Sequence, residues 1–194
     1  MSTNSAPATA GSAAYDVAGD PARRSPHRRH AHVPTTLGDL LLVADGPALI
    51  GVYFPGHSYP PAPDTIGAVA DESDPVIGAA ARQIRAYLLG ERREFDLEIR
   101  TGSDEFAERV WDLLRRIPYG GTTTYGELAH QLGDRRRAQA VGQAIGHNPL
   151  SIVIPCHRVL GADGNLRGFA GGLDRKRALL ALEEPDQARA ERLF

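Results

Sequence analysis

The spacing of apolar residues changes near residue 100 of this 194-residue chain. Before that point, apolar runs at 40–43 and 49–54 flank Asp45-Gly46, a dipeptide typical of a hairpin turn between two strands. After residue 102, apolar residues recur every three or four positions, as they do on the buried face of a helix. The pattern predicts an α+β fold, with a small N-terminal α/β domain (33–101) followed by a mostly helical C-terminal domain (102–194).

Further elements of each half are predicted from turn and capping residues. In the N-terminal half, apolar spacing predicts a helix over 75–89 that ends at Gly90, and alternation over 95–99 predicts another strand. In the C-terminal half, Ser103 is the predicted cap of a helix that ends before Pro118. A last helix is predicted over 173–182.

Two short helices are predicted between residues 124 and 146. Thr124 and Glu127 have the S/T-x-x-E spacing of a capping box, which opens a helix through Leu132. A second helix, 135–146, follows the turn at Gly133. Such a pair is typical of the helix-turn-helix motif, whose second helix enters or flanks a DNA groove. Similar pairs also occur in proteins that do not bind DNA.

Residues 1–32 are interpreted as a disordered tail. The tail is rich in Ala, Ser and Thr and then in Arg and His, so few apolar side chains can offset the entropy lost on ordering. His27, His30 and His32 are interpreted as part of this solvated tract rather than as metal ligands. On this interpretation, a chain that begins at Val33 keeps its activity. No run of about 18 apolar residues occurs, so no membrane-spanning helix is expected.

The only cysteine of the chain lies in the segment Ile152–Val159, which reads Ile-Val-Ile-Pro-Cys-His-Arg-Val. A thiolate is a strong nucleophile, and an adjacent imidazole favours it. The alternative is that Cys156 is a small core hydrophobe. Since Pro155 ends the apolar run, we expect Cys156 and His157 on an exposed turn after a buried strand, which favours chemistry. A single free thiol also suits a reducing cytoplasm.

Positive charge is concentrated around the cysteine, although the net charge of the chain is −2. The segment 134–177 contains three acidic residues and eight basic ones: Arg135, Arg136, Arg137, Arg158, Arg167, Arg175, Lys176 and Arg177. A solvated surface accounts for scattered arginines, whereas a cluster around a nucleophile favours contact with phosphates.

The motifs around the cysteine have a characteristic order. Tyr125-Gly126-Glu127-Leu128-Ala129 and Asn148-Pro149 precede Pro155-Cys156-His157-Arg158, and Gly171-Gly172-Leu173 follows it. This order and spacing resemble the O6-alkylguanine-DNA alkyltransferases, also called methylated-DNA–protein-cysteine methyltransferases, most strongly between Phe106 and Glu183. The resemblance implies a ribonuclease H-like N-terminal domain and a winged-helix-like C-terminal domain that carries the helix-turn-helix.

The resemblance also implies roles for individual residues. Cys156 is the nucleophile, His157 its base through a water molecule, Glu183 the group that orients the histidine, and Asn148 the bridge from the helix-turn-helix to the reactive loop. The implied substrate-binding residues are Tyr125, Val159, Phe169 and Ala170, and the implied DNA-binding residues are Gln139, Arg135, Arg136 and Ile145.

Three positions depart from the family pattern. Gln139 stands where relatives carry an arginine that fills the gap left by a flipped base. Phe169 replaces a frequent tyrosine, and Ala170 a serine found in some relatives. These changes leave the backbone donors of the loop in place and alter its side-chain contributions.

The implied function is DNA repair by irreversible transfer of an alkyl group from O6-alkylguanine, or O4-alkylthymine, in double-stranded DNA onto Cys156. We expect a monomer that needs no cofactor and no metal. One alternative is a non-catalytic alkyl-lesion-binding protein of the alkyltransferase-like type, and because those proteins lack the cysteine, Cys156 argues against it. A Cys–His–Glu hydrolase is a second alternative, but the sequence gives no sign of the oxyanion hole that it would need.

Overall fold

The computed structural model describes residues 25–184 and has a mixed α+β architecture. A four-stranded sheet comprises β1 (Arg28–Val33), β2 (Leu40–Asp45), β3 (Ala48–Tyr53) and β4 (Ala68–Val69), in the order β3-β2-β1-β4. Strands β1, β2 and β3 are antiparallel neighbours, and β4 runs parallel to β1. The predicted hairpin is confirmed, and Gly46 in its turn adopts φ 58°, which glycine tolerates without steric cost.

Strand β1 corrects the boundary of the predicted tail. Residues 28–32 were predicted to be part of the tail, yet Arg28–Val33 forms a strand that lies between β2 and β4 in the sheet. Only two side chains of β1, those of Ala31 and Val33, are buried in the core, so the strand needs few apolar residues. The charges of this strand are neutralised instead, since Arg28 contacts Asp45 at 3.3 Å and Arg29 forms an ion pair with Asp74. The rest of the predicted tail, residues 1–24, lies outside the described residues.

Helix α1 (Pro75–Leu88) packs against the sheet, as predicted. The side chain of Asp74 caps it by accepting hydrogen bonds from the backbone amides of Val76 and Ile77, both at 3.0 Å. The strand predicted over 95–99 does not form. Only Ile99 bridges to Leu49 there, through two backbone hydrogen bonds that flank it.

Between residues 102 and 184 the chain forms four more α-helices: α2 (Glu105–Arg115), α3 (Tyr125–Gln131), α4 (Ala138–Gly146) and α5 (Leu173–Glu183). The capping box of Thr124 and Glu127 at the start of α3 is confirmed. Two predicted starts were wrong. Asp104, not Ser103, caps α2 by accepting from the amide of Ala107 at 2.9 Å, because a carboxylate is a stronger acceptor than a hydroxyl. Residues 135–137 form a 3-10 turn before α4 begins.

The two halves share one hydrophobic core. Residues of β2 and α1 lie in the same buried cluster as Trp111 of α2 and Leu179 of α5. Backbone contacts also cross between the halves, since Val52 of β3 pairs with Leu150. The predicted boundary between 101 and 102 stays a prediction. No helix within residues 25–184 is long and apolar enough to cross a membrane.

We expect a chain that begins at Val33 to be strongly destabilised, because it lacks the strand that β2 and β4 both pair with. Its melting temperature should fall by at least about 10 °C, or cooperative unfolding should be lost. The matched control begins at Ser25 and keeps all of β1; we expect it to melt within about 3 °C of the full chain. Thermal unfolding followed by circular dichroism distinguishes the two, and equal melting temperatures would contradict the prediction.

Candidate functional site

The segment from Asn148 to Cys156 is folded into successive tight turns. The amide of Val153 donates to the carbonyl of Ser151 at 2.9 Å, and the amide of Cys156 to that of Ile154 at 2.8 Å. Each bond spans two residues, so both close γ-turns. The first places Ile152 at φ 73°, a costly conformation for a β-branched residue. The predicted strand over 152–154 is therefore absent.

Cys156 begins a 3-10 helix, Cys156–Arg158, and is 5% exposed, so the expectation of an exposed turn was wrong. The Nδ2 group of Asn148 donates to the Cys156 Sγ at 3.1 Å and to the Ile154 carbonyl at 2.9 Å. Burial raises the pKa of the Cys156 thiol, and the bond from Asn148 and the charge of Lys176 oppose this shift. Asn148 thus connects the end of α4 to the sulfur.

His157 is fully buried and contacts Glu183. Its Nε2 lies 2.6 Å from Oε1 of Glu183 and 3.3 Å from the hydroxyl of Tyr87. Because a carboxylate accepts, Nε2 carries the proton, and Nδ1 keeps its lone pair. Nδ1 is buried and has no hydrogen-bond partner in the part of the chain that the structure describes. The histidine is thus oriented as a base whose accepting nitrogen is unengaged.

The carboxylate of Glu183, which is 2% exposed, is the most heavily hydrogen-bonded group of the site. It also accepts from Nε of Arg158 at 2.8 Å, from Nη2 of Arg158 at 3.0 Å, from the amide of Gly120 at 3.0 Å and from the hydroxyl of Tyr87. Burial acts to raise the pKa of Glu183, but the hydrogen bonds from His157, Arg158 and Tyr87 outweigh it and lower that pKa to about 2. Glu183 is therefore ionised and paired with Arg158.

Glu183 and Arg158 form an ion pair whose opposite charges cancel, and this pairing affects the protonation of His157. Burial lowers the pKa of His157 despite the hydrogen bond to Glu183, since Arg158 already supplies the positive charge that the carboxylate needs. The imidazole is therefore neutral near pH 7 and able to accept a proton.

Lys176, which sequence reasoning assigned only to the basic cluster, lies in the candidate site. Its ammonium group is fully buried and donates to the carbonyls of Val159 and Arg167, both at 2.6 Å, and of Gly168 at 3.3 Å. Burial lowers its pKa to about 8, and the charge of Cys156 acts to raise it. The predicted site residue Val159 is buried, and its carbonyl already accepts from Lys176, which leaves one lone pair for another donor.

Tyr87 is the second residue that was missed. It belongs to the apolar face of α1, 96 positions before Glu183, and is fully buried. Its hydroxyl hydrogen-bonds to Glu183, and burial raises its pKa, so it acts as a donor. Only the polar atom at the end of an otherwise apolar side chain signalled this role.

Of the other predicted substrate residues, Phe169 and Ala170 belong to the loop 167–172 and Tyr125 contacts it. The hydroxyl of Tyr125 donates to the carbonyl of Arg167 at 3.2 Å. Burial raises the pKa of Tyr125, and the negative charge that Cys156 carries when it is ionised adds to this shift. Phe169 contacts Phe54 edge to face at 5.9 Å between ring centroids, and the carbonyl of Ala170 accepts from the amide of Ser58 at 2.9 Å.

The predicted DNA-binding residues divide into two groups. Gln139 is exposed in the first turn of α4, and Arg135 and Arg136 are exposed in the 3-10 turn before it. Arg136 pairs only loosely with Asp134, because its side chain is 91% exposed. Ile145 is 5% exposed and belongs to the core, so its assignment to DNA contact was wrong. The assignment came from the family resemblance, whereas the helical spacing directs Ile145 inward with Val141, as the structure has it.

Comparison with known proteins identifies relatives of this chain. Residues 105–185 match the family model described as 6-O-methylguanine DNA methyltransferase, DNA binding domain. A methylated-DNA–protein-cysteine methyltransferase of Mycolicibacterium paratuberculosis is 43% identical over 162 residues, which cover 84% of this chain and 96% of the relative. One from Methanosarcina acetivorans is 41% identical, over 79% of this chain and 97% of the relative. The crystal structure of Mycobacterium tuberculosis OGT in complex with DNA superimposes with a TM-score of 0.72 at 41% identity, over 81% of this chain and 92% of that one.

The burial of His157 predicts that the folded protein loses stability at acidic pH. Its folded pKa lies below the ordinary value of 6.5, so the unfolded chain binds the extra proton, and the free energy of unfolding falls as pH drops below about 6.5. Glu183, lowered from 4.5 to about 2, adds a second loss as pH falls below about 4.5. Below pH 6.5, the slope from His157 has an upper limit of about 1.4 kcal/mol per pH unit, which corresponds to one proton.

Urea unfolding at several pH values measures this slope. In the His157→Asn variant the slope should decrease without vanishing, because burial also lowers the pKa of His57. The control His130→Asn, at an exposed position, should keep the full slope. An unchanged slope in His157→Asn would mean that His157 does not titrate as described.

Proposed function

This chain belongs to the methylated-DNA–protein-cysteine methyltransferase family, and we propose from that premise that Cys156 removes alkyl groups directly from O6-alkylguanine, or O4-alkylthymine, in double-stranded DNA. The observation that carries the proposal is the arrangement of the only thiol of the chain, which is bonded to Asn148 and followed by the buried His157–Glu183 pair. A structural cysteine in an apolar core needs neither of these partners.

The reaction begins with deprotonation of the thiol. His157 Nδ1 is the buried acceptor, because Glu183 fixes the proton on Nε2. We propose that one water molecule carries the proton from Sγ to Nδ1. Lys176 is close enough to favour the thiolate, and Asn148 donates to the same sulfur. These groups offset the cost of forming a charge at a buried position.

The transfer itself is a single displacement. The thiolate attacks the alkyl carbon, a carbon–sulfur bond forms, and the bond from that carbon to O6 breaks, with its electron pair passing into the guanine ring. The departing guanine takes a proton from the hydroxyl of Tyr125, and the proton held on His157 Nδ1 restores that hydroxyl through water. The proton lost by Cys156 is thus balanced by the one gained by the guanine. The backbone of the loop around Phe169 and Ala170 holds the base, and the carbonyl of Val159 meets its amino group. The thioether is stable, so each molecule reacts once.

The location of the sulfur sets the geometry of DNA binding. Because Cys156 is buried, a base within a duplex cannot reach it unless the nucleotide is flipped out of the stack. We propose that α3 and α4 act as the helix-turn-helix of a winged-helix-like half, with Gln139, Arg135 and Arg136 facing the DNA. The N-terminal half is then the ribonuclease H-like support. We further propose that the protein acts as a monomer in a reducing cytoplasm, which keeps the thiol free.

Direct transfer predicts a mass change. After incubation with an oligonucleotide duplex that contains O6-methylguanine, the intact protein should gain about 14 Da on Cys156, and repair should stop at one methyl group per molecule. Cys156→Ser should gain nothing. His157→Gln should react at least about 100-fold more slowly, because general-base assistance is lost. Repeated turnover, or a methyl group on another residue, would contradict the proposal, and binding without transfer would favour a non-catalytic lesion-binding protein.

The glutamine at position 139 predicts slower repair of duplex DNA than an arginine at this position would give. A glutamine is shorter and neutral, so it stabilises the gap left by a flipped base less than a charged donor does. We expect Gln139→Arg to speed methyl transfer from duplex DNA roughly tenfold, and Gln139→Lys, the charge-matched control, to speed it less, because a lysine lacks the planar fork. Transfer from the free O6-methylguanine base needs no flipping and should not change. Equal acceleration with both substrates would show that position 139 does not act on flipping.

A further inference from the structure

The loop Gly168–Gly172, called here the lesion loop, is held in part by the N-terminal half of the chain. The amide of Ser58 donates to the carbonyl of Ala170 at 2.9 Å, and the ring of Phe54 contacts that of Phe169. Gly171 also lies against Phe54 so closely that a Cβ at this position would come within 2.4 Å of the ring. A displacement of the N-terminal half would therefore displace the loop.

Arg175, in the first turn of α5, connects these parts. Its Nε donates to the carbonyl of Leu37 at 2.9 Å, and its Nη1 donates to the carbonyls of Pro55 at 3.0 Å and Gly171 at 2.7 Å. Its guanidinium carbon also lies 5.1 Å from the centroid of the Phe54 ring. A single planar group thus binds two segments of the N-terminal half and one carbonyl of the lesion loop.

The adjacent residue holds the other end of the same loop. Lys176 donates to the carbonyls of Arg167 and Gly168, whereas Arg175 donates to that of Gly171. Two consecutive basic residues of α5 therefore fix both ends of the lesion loop. Lys176 is also coupled to the charge of Cys156. Arg175 instead contacts three backbone carbonyls and the ring of Phe54, all outside the segment that holds the thiol.

We propose that Arg175 is a positioning residue that sets the shape of the lesion loop against the N-terminal half, and thereby the affinity of the site for the alkylated base. The proposal rests on the proposed function, in which this loop holds the base. Arg175 acts on binding and leaves the deprotonation of Cys156 and the displacement step unchanged. The N-terminal half, which contributes none of the proposed reacting groups, then determines how well the lesion is bound.

Arg175→Ala tests the proposal with the free O6-methylguanine base as substrate, so that contact with DNA does not contribute. Methyl transfer is followed by intact mass at increasing base concentration. We expect the half-saturating concentration to rise roughly tenfold, while the limiting rate constant stays within about twofold, which is the pattern of lost binding alone. The rate at which iodoacetamide alkylates Cys156, measured against pH, should match that of the unsubstituted chain.

The matched control is Arg115→Ala, which removes an equally charged residue whose ion pair with Asp112 lies on the surface of α2. It should leave both constants unchanged. Gly171→Ala pushes the lesion loop away from Phe54. It should reproduce the effect of Arg175→Ala, so the proposal can be tested even if the Arg175→Ala variant does not fold. Hydrogen exchange should be faster at the amides of 168–172 in both variants.

The outcomes separate the possible failures. Unchanged half-saturation in a folded Arg175→Ala or Gly171→Ala variant, or a parallel fall in the iodoacetamide rate, would overturn the positioning role and leave the proposed function intact. If the unsubstituted chain transfers no methyl group from DNA or from the free base, the proposed function fails, and this inference fails with it.

Discussion

The buried carboxylate of Glu183 holds the site together. It accepts hydrogen bonds from α1 through Tyr87, from the loop after α2 through Gly120, and from the reactive 3-10 helix through His157 and Arg158. An unpaired carboxylate at this depth would be strongly destabilising, so its location requires these donors together. Removing the charge would leave Arg158 buried without its partner, at a cost of about 3–5 kcal/mol. Stability and chemistry therefore depend on the same residue.

The same burial makes the thiol a poor acid on its own. Desolvation raises the pKa of Cys156, and the hydrogen bond from Asn148, the charge of Lys176 and the backbone amides of Cys156 and His157 act against it. The thiolate is thus favoured when the base His157 and the positive charge of Lys176 are both in place beside the buried sulfur. A thiol that is protonated for most of the time is also less exposed to oxidation and to adventitious electrophiles.

Sequence reasoning located the reacting residues because they are adjacent or appear at fixed spacing. Cys156 and His157 are neighbours, and Asn148 and Glu183 fall at positions that the family resemblance supplied. It missed Tyr87 and Lys176, whose roles depend on contacts across 96 and 20 positions of the chain. Tyr87 has the spacing of a core residue of α1, and Lys176 the composition of a surface helix. Neither pattern records which polar atom meets which partner.

The fold was predicted well where local rules decide it, at the β2–β3 hairpin and the capping box of Thr124. It was predicted poorly where tertiary contacts override local composition. Strand β1 is rich in Arg and His, yet pairing on both sides and ion pairs with Asp45 and Asp74 fix it in the sheet. Residues 95–99 alternate like a strand but meet the sheet only at Ile99. Pro155 and the γ-turn at Ile152 replaced the predicted strand before the cysteine.

The strained turns before Cys156 have a consequence for how such a protein can be built. The segment is held at Ile152 by burial in the core despite an unfavourable φ, at Ser151 by a backbone hydrogen bond to Val52, and at Ile154 by a hydrogen bond from Asn148. An enzyme with many turnovers must open its site each cycle, and this opening often limits its rate. A protein that keeps the alkyl group for good has no modified residue to regenerate. Its nucleophile can therefore be immobilised from every side, and all of the motion is left to the nucleotide.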